Sequence, residues 1–235
     1  MDAEKEKRLL VEKSAFFKHF DKAIIDFVLP LLSECSFHSD NPICLKSDES
    51  DSLYIIRDGQ VEISVSSKDG KIIVLGMMFK GDVFGEIGLL DHGSRTATVT
   101  AKTDVSLYRL NARDFNKMTE KFGLKEWTAT TAYVCDLFRR VTNNLEETAF
   151  LDTGIRVLKK IVEIYDRSPD EEKSPENFRL NISQEALGQM VGLSREATNK
   201  TLARLADTGM IESKYKYILI PDIEKLRETV EKEKA

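Results

Sequence analysis

Two short stretches hold side chains whose types and spacing suit chemistry. The first is GEIGLLDHGSRTAT, residues 85–98. Glu86 follows Gly85 directly, and Arg95 and Thr96 come nine and ten residues after the glutamate. A carboxylate, a guanidinium and a hydroxyl in an otherwise apolar, glycine-punctuated run either stand apart on a surface or converge on one small anionic ligand. Asp91 and His92 in the same stretch could form an acid–base pair, but a surface turn accounts for them more simply. The second stretch is SREATNKTLARL, residues 194–205. On a helix, Arg195, Glu196, Asn199 and Lys200 share one face, opposite Thr198, Thr201, Leu202 and Leu205. Arg and Lys can donate to guanine O6 and N7, Glu can accept from cytosine N4, and Asn suits adenine, so this face has the chemistry of DNA reading. The plain alternative is a solvated face with Glu196 and Lys200 as an i,i+4 pair worth about 0.2–0.5 kcal/mol.

The elements that must position these groups follow from periodicity. Residues 4–33 place apolar groups at spacings of three and four, which predicts helix, interrupted near its end by Pro30. From about 43 to 110, short apolar or alternating runs (SLYII, QVEISVS, KIIVLGMMF, RTATVTA, VSLYRL) alternate with turn signals. Strands of this length and spacing predict a compact antiparallel sandwich or barrel. Gly59, Gly70 and Gly81 fall where its turns need a positive φ. From 112 to 147 the period is helical again, and Trp127, Thr131, Val134, Phe138, Val141 and Leu145 form a heptad-like seam. One helix of that length, ~50 Å, exceeds what a small β-domain can cover, so the seam fits a homodimer contact better than the alternative, a core helix lying against its own domain. Residues 154–166 form an amphipathic helix, and SPDEEKSPENF reads as a loop. Two short helices then flank Gly192, with Ser183 and Ser194 as N-caps and Gly209 as a stop. MIESKYKYILI reads as a hairpin whose tip, Lys214, Tyr215 and Lys216, could contact phosphate. Two capped helices around a tight turn, followed by a basic hairpin, describe a winged helix–turn–helix.

Composition excludes several classes. Of the 235 residues, 41% are apolar and 32% charged, as in an ordinary globular protein. No apolar run approaches the ~18 residues of a membrane span, and the charged N-terminus has no signal-peptide core, so a cytoplasmic chain is expected. Cys35, Cys44 and Cys135, like His19, His38 and His92, lack metal-type spacing, so no metal is expected and reduced thiols are the default. The net charge of −5 is uneven. Residues 1–152 carry 20 Lys and Arg against 25 Asp and Glu, whereas 153–220 carry 11 against 10. A locally basic surface is therefore compatible with an acidic chain. No nucleotide-triphosphate loop, nucleophile elbow or zinc-protease motif is present, which argues against an enzyme.

ISQEALGQMVGLSREATNKTLARLADTGMI closely resembles the helix–turn–helix of the Crp–Fnr transcription regulators, and AFLD at 149–152 resembles their hinge. The resemblance covers nearly the whole chain. It implies an α+β protein: an antiparallel, jelly-roll-like β-roll with flanking helices (1–111), a long dimerisation helix (112–148) and a winged helix–turn–helix (149–235). Double-stranded DNA carrying a palindromic operator, a second copy of the chain and RNA polymerase are the partners implied, with no membrane. In the family an Arg-Glu pair and a basic residue four positions after the Glu read bases. These are Arg195, Glu196 and Lys200 here, the last more often arginine, whose bidentate fork lysine lacks.

The resemblance also makes GEIGLLDHGSRTAT a phosphate-binding cassette for a cyclic nucleotide. Arg95 would hold the cyclic phosphate, Thr96 would add a hydroxyl, and backbone N–H groups around Gly85, Glu86, Ile87 and Ala97 would complete the cradle. Glu86 would accept from the ribose 2′-hydroxyl. In cAMP-responsive relatives two adjacent hydroxyl residues on the dimer helix contact adenine; Val141 and Thr142 stand there, and only Thr142 keeps a hydroxyl. Thr96 could also bond a guanine amino group in a syn base, so cAMP is the first expectation and cGMP the second. The alternatives are the same fold acting without a ligand or on another trigger, such as haem, and a cyclic-nucleotide module that regulates a protein partner. An iron–sulfur trigger needs more cysteines than Cys35 and Cys44.

Overall fold

The structure is a computed structural model that describes residues 3–67, 69, 72–168, 173–214 and 217–233. The chain forms two compact units, Met1–Val141 and Thr142–Ala235. Among the described residues no helix is long and apolar enough to cross a membrane.

The first unit begins with α1 (Ala3–Lys13) and α2 (Lys22–Val28). The single helical stretch expected over 4–33 is broken earlier than Pro30. The chain turns between Ser14 and Phe20, where Ser14 Oγ donates to the Val11 carbonyl and the rings of Phe16, Phe17 and Phe20 pack edge-on or tilted against one another. Burying three aromatic rings at that corner outweighs continuing the helix. Among the described residues eight strands follow: β1 (Ser33–Phe37), β2 (Pro42–Cys44), β3 (Ser52–Asp58), β4 (Val61–Ser66), β5 (Ile72–Met78), β6 (Val83–Phe84), β7 (Thr98–Ala101) and β8 (Val105–Asn111). They pair antiparallel in two four-stranded sheets, ordered β1-β8-β3-β6 and β2-β7-β4-β5. β1 lies ahead of the expected start of the sheet, because SECSF alternates too weakly to read as a strand.

β3 explains why SLYII is an unbroken apolar run. Tyr54 and Ile56 face the second sheet, against Val61, Val99 and Ala101. Leu53 and Ile55 face the helices, with Phe16, Ile24, Phe115 and Met118. A strand covered on both faces has no polar side to display. Gly59 and Gly81 turn with φ of 89° and 88°, as expected; Gly70 lies outside the described residues.

A short helix, α3 (Glu86–Asp91), separates β6 from β7, and two helices close the unit. The single helix expected over 112–147 is divided into α4 (Ala112–Phe122) and α5 (Leu124–Phe150). Gly123 sits between them at φ 51°, ψ −120°, a conformation that ends a right-handed helix and that glycine adopts without a Cβ clash. α5 has two faces. Glu126, Ala129, Thr130 and Tyr133 are buried, while Trp127, Val134, Phe138 and Val141 of the seam are exposed, Phe138 by 72%. Asp136 pins the helix to the aromatic corner: its carboxylate pairs with Lys18 at 2.8 Å and His19 at 2.9 Å, which hold its pKa down to about 2.

The second unit contains α6 (Thr153–Arg167), β9 (Glu176–Leu180), α7 (Gln184–Met190), α8 (Arg195–Asp207), β10 (Glu212–Ser213), β11 (Ile218–Asp222) and α9 (Ile223–Lys232). The expected loop therefore ends earlier, since Glu176 to Phe178 pair with β11 in the sheet β10-β11-β9. Asp152, Ser183, Ser194 and Asp222 each accept a backbone N–H at the start of a helix. α7 and α8 cross closely at Gly188, where a Cβ would overlap the Thr198 hydroxyl and methyl. Gly188→Ala should therefore destabilise the protein by about 1–3 kcal/mol through overpacking, read as a lower urea midpoint at unchanged slope.

Candidate functional site

The cassette forms a pocket inside the β-roll, lined by Cys44, Ile63, Met78, Phe84, Val99, Gly85 to Gly88 and Arg95 to Ala97. With its open mouth it encloses about 500 Å³, within the range of small-ligand sites. Gly85, Glu86, Ile87, Arg95, Thr96 and Ala97 are thus brought together. Thr96 is exposed, and Ala97 is half-buried.

Arg95 is the centre of the arrangement. It is 6% exposed, and its Nη1 donates to the Gly85 carbonyl at 3.0 Å. A Cβ at residue 85 would collide with the Arg95 guanidinium and the Ser52 carbonyl, and Gly85 has φ 85°. Glycine is required there on both counts. The guanidinium reaches Asp51 at 3.5 Å, a long contact, and lies 5.7 Å from the Tyr54 ring centre. Asp51 spends its closer bond on Arg109, at 2.6 Å. Arg95 therefore retains positive charge for a ligand anion.

Glu86 is 7% exposed and does not pair with Arg95. Its Oε1 instead accepts from the Tyr133 hydroxyl at 2.7 Å. Burial pushes the Glu86 carboxyl up from its ordinary value, and the Tyr133 bond works against that shift. Burial and the neighbouring Glu86 in turn raise the Tyr133 phenol. Burial also pushes the Cys44 thiol up, so it is a poor nucleophile. Sequence reasoning missed Asp51 and Tyr133. Asp51 carries no signal apart from its charge, while Tyr133 is one residue off the seam, on the face that a helical wheel assigns to the core. Val141 and Thr142 stand exposed on α5 and are not among the residues lining the pocket. Asp91 and His92 form the exposed turn expected, with Asp91 accepting from the Gly93 N–H at 2.8 Å.

The second site is the face of α8. Thr198, Thr201, Leu202 and Leu205 are buried, while Arg195, Glu196, Asn199 and Lys200 are exposed. Among the described residues none of these four side chains is engaged in an ion pair or hydrogen bond, so the Glu196–Lys200 pair does not form. Ser183 and Ser194 cap α7 and α8 through bonds to Ala186 and Ala197 at 3.1 and 3.3 Å. Lys214 is exposed and pairs with Glu212 at 3.1 Å; Tyr215 and Lys216 lie outside the described residues.

Two family models match the chain: a cyclic nucleotide-binding domain over residues 34–122 and a Crp-like helix–turn–helix domain over residues 155–229. The chain is 29% identical over 225 residues to the CRP-like cAMP-activated global transcriptional regulator of Mycobacterium tuberculosis, covering 92% of this chain and 96% of that one. It is 27% identical over 210 residues to the cAMP-activated global transcriptional regulator Vfr of Pseudomonas aeruginosa, covering 86% and 94%. Its fold matches the c-di-GMP-responsive global regulator CLP of Xanthomonas campestris with a TM-score of 0.68 at 20% identity, covering 86% of this chain and 99% of that one.

The raised Glu86 pKa makes a pH prediction. Between the ordinary carboxylate value and the raised one, the folded chain holds a proton that the unfolded chain has released. Stability therefore falls as pH rises through that window. In Glu86→Gln this component of the fall should be missing, as read from urea midpoints at steps from about pH 4 upwards.

Proposed function

Since the chain belongs to the Crp–Fnr family of transcription regulators and is not an enzyme, we propose that it acts as a homodimer whose operator binding a cyclic nucleotide controls, cAMP first and cGMP second. The observation that carries this reading is that Arg95 and Glu86, both buried, share one pocket without neutralising each other. Each holds a partner of its own, Gly85 and Asp51 for the arginine and Tyr133 for the glutamate. A cyclic phosphate would complete the charge on Arg95, and a ribose hydroxyl would donate to Glu86.

The exposed seam of α5 supports the dimer. Trp127, Val134, Phe138, Val141 and Leu145 present a stripe over five turns, which a second copy of the same helix would bury. In a two-fold dimer, Arg195, Glu196, Asn199 and Lys200 of both protomers would enter major grooves ~34 Å apart on a palindromic site, and Lys214 would contact phosphate. RNA polymerase is the further partner that promoter binding implies.

A ligand changes DNA affinity only by preferring one conformation. Nucleotide should strengthen binding to a selected palindrome by about 1–3 kcal/mol, and the same DNA should strengthen nucleotide binding by an equal factor. Calorimetry and DNA titration on the wild type and Arg95→Ala test both halves. The variant should lose nucleotide binding and the nucleotide effect on DNA together; equal nucleotide affinity in both proteins would overturn the reading. Phe138→Glu should convert a dimer into a monomer at micromolar concentration by light scattering, because the charge would be buried at the seam.

A further inference from the structure

Glu86 meets the pocket with one of its two oxygens already engaged. Oε1 accepts from Tyr133, and Oε2 takes no hydrogen bond from another described residue. The donor comes from α5 rather than from the β-roll. Its ring stands edge-on to Phe16 with centroids 5.0 Å apart and is 2% exposed, so packing fixes where the hydroxyl points. Burial raises the Glu86 carboxyl, and the Tyr133 bond, with the charge of Arg140 two turns further along α5, works against that rise. An ionised carboxylate only accepts. With one oxygen held by a phenol, the other is left to accept from solvent in the empty pocket and from the occupant of a filled one. A ligand that displaces that solvent without bringing a donor is penalised.

We infer that Tyr133 is a positioning residue that leaves Glu86 one open acceptor oxygen and so makes the pocket demand a 2′-hydroxyl on the ribose of its ligand. This rests on the cyclic-nucleotide reading above. Without the phenol, burial drives the carboxyl towards its neutral form. A neutral carboxyl both donates and accepts, and it tolerates a sugar that brings no donor.

The test is calorimetry on the full chain with cAMP and 2′-deoxy-cAMP, and with cGMP and 2′-deoxy-cGMP alongside. Wild type should prefer the ribose form about 10- to 100-fold, the factor expected of a hydrogen bond to a charged group. Tyr133→Phe, which keeps the ring against Phe16, should reduce that preference to about 2- to 10-fold, the range of a neutral bond. A merely loosened pocket would weaken both ligands equally and leave their ratio as in the wild type, which overturns the inference. Glu86→Gln reads the same oxygen from the other side. It should reduce the ratio as far, and adding Tyr133→Phe to it should change nothing more; a wild-type ratio in Glu86→Gln also overturns the inference. A wild type that binds none of the four nucleotides removes the cyclic-nucleotide reading itself. Binding with an unchanged ratio in Tyr133→Phe removes this inference alone.

Discussion

Arg95 carries a guanidinium, and almost none of it reaches water. Removing a guanidinium from solvent costs several kcal/mol unless its hydrogen bonds and charge are answered. The N-terminal unit answers them only in part. Gly85 gives a carbonyl and, by lacking a Cβ, the space in which the guanidinium lies. Asp51 gives a distant carboxylate that Arg109 already shares. The Tyr54 ring, stacked on Phe84 at 5.1 Å, covers one side. A better counter-ion would stabilise the empty pocket and weaken its hold on any anion, so the incomplete pairing suits a site that must fill and empty.

The same constraint reaches α5 through Glu86. Its carboxylate accepts from Tyr133 and not from Arg95. One face of α5 thereby touches a residue of the pocket wall, while the other carries the exposed seam. Gly123 separates this helix from α4, so the register of α5 is set by its own contacts: Tyr133 on Glu86, and Asp136 on Lys18 and His19.

Much of this was legible in the sequence, for identifiable reasons. Alternation and turn residues marked β3 to β5, β7 and β8, because those strands have strong apolar periodicity. β1 went unread because Ser33, Glu34 and Ser36 look like loop residues; its place is fixed by pairing with β8 across 76 residues, from Ser33 to Arg109. Gly123 was legible as a residue but not as a break, since a lone glycine in a periodic run costs only about 1 kcal/mol and helices often absorb it. Arg95 and Glu86 stood out because charge inside an apolar run is rare. Asp51 and Tyr133 did not, because their roles depend on contacts 44 and 47 residues away in sequence. On α8, periodicity alone separated the buried threonines and leucines from the exposed polar face.

That last separation bears on how such a protein can diverge. Arg195, Glu196, Asn199 and Lys200 are exposed and, among the described residues, unengaged, so replacing any of them leaves the packing under α8 intact. Arg95 and Glu86 are buried, so replacing either leaves an unmet partner behind it. On the function proposed above, the set of promoters recognised would drift by single steps after gene duplication, while the signal obeyed would stay fixed until several positions changed together. Paralogues of this architecture would then differ in address before they differ in trigger.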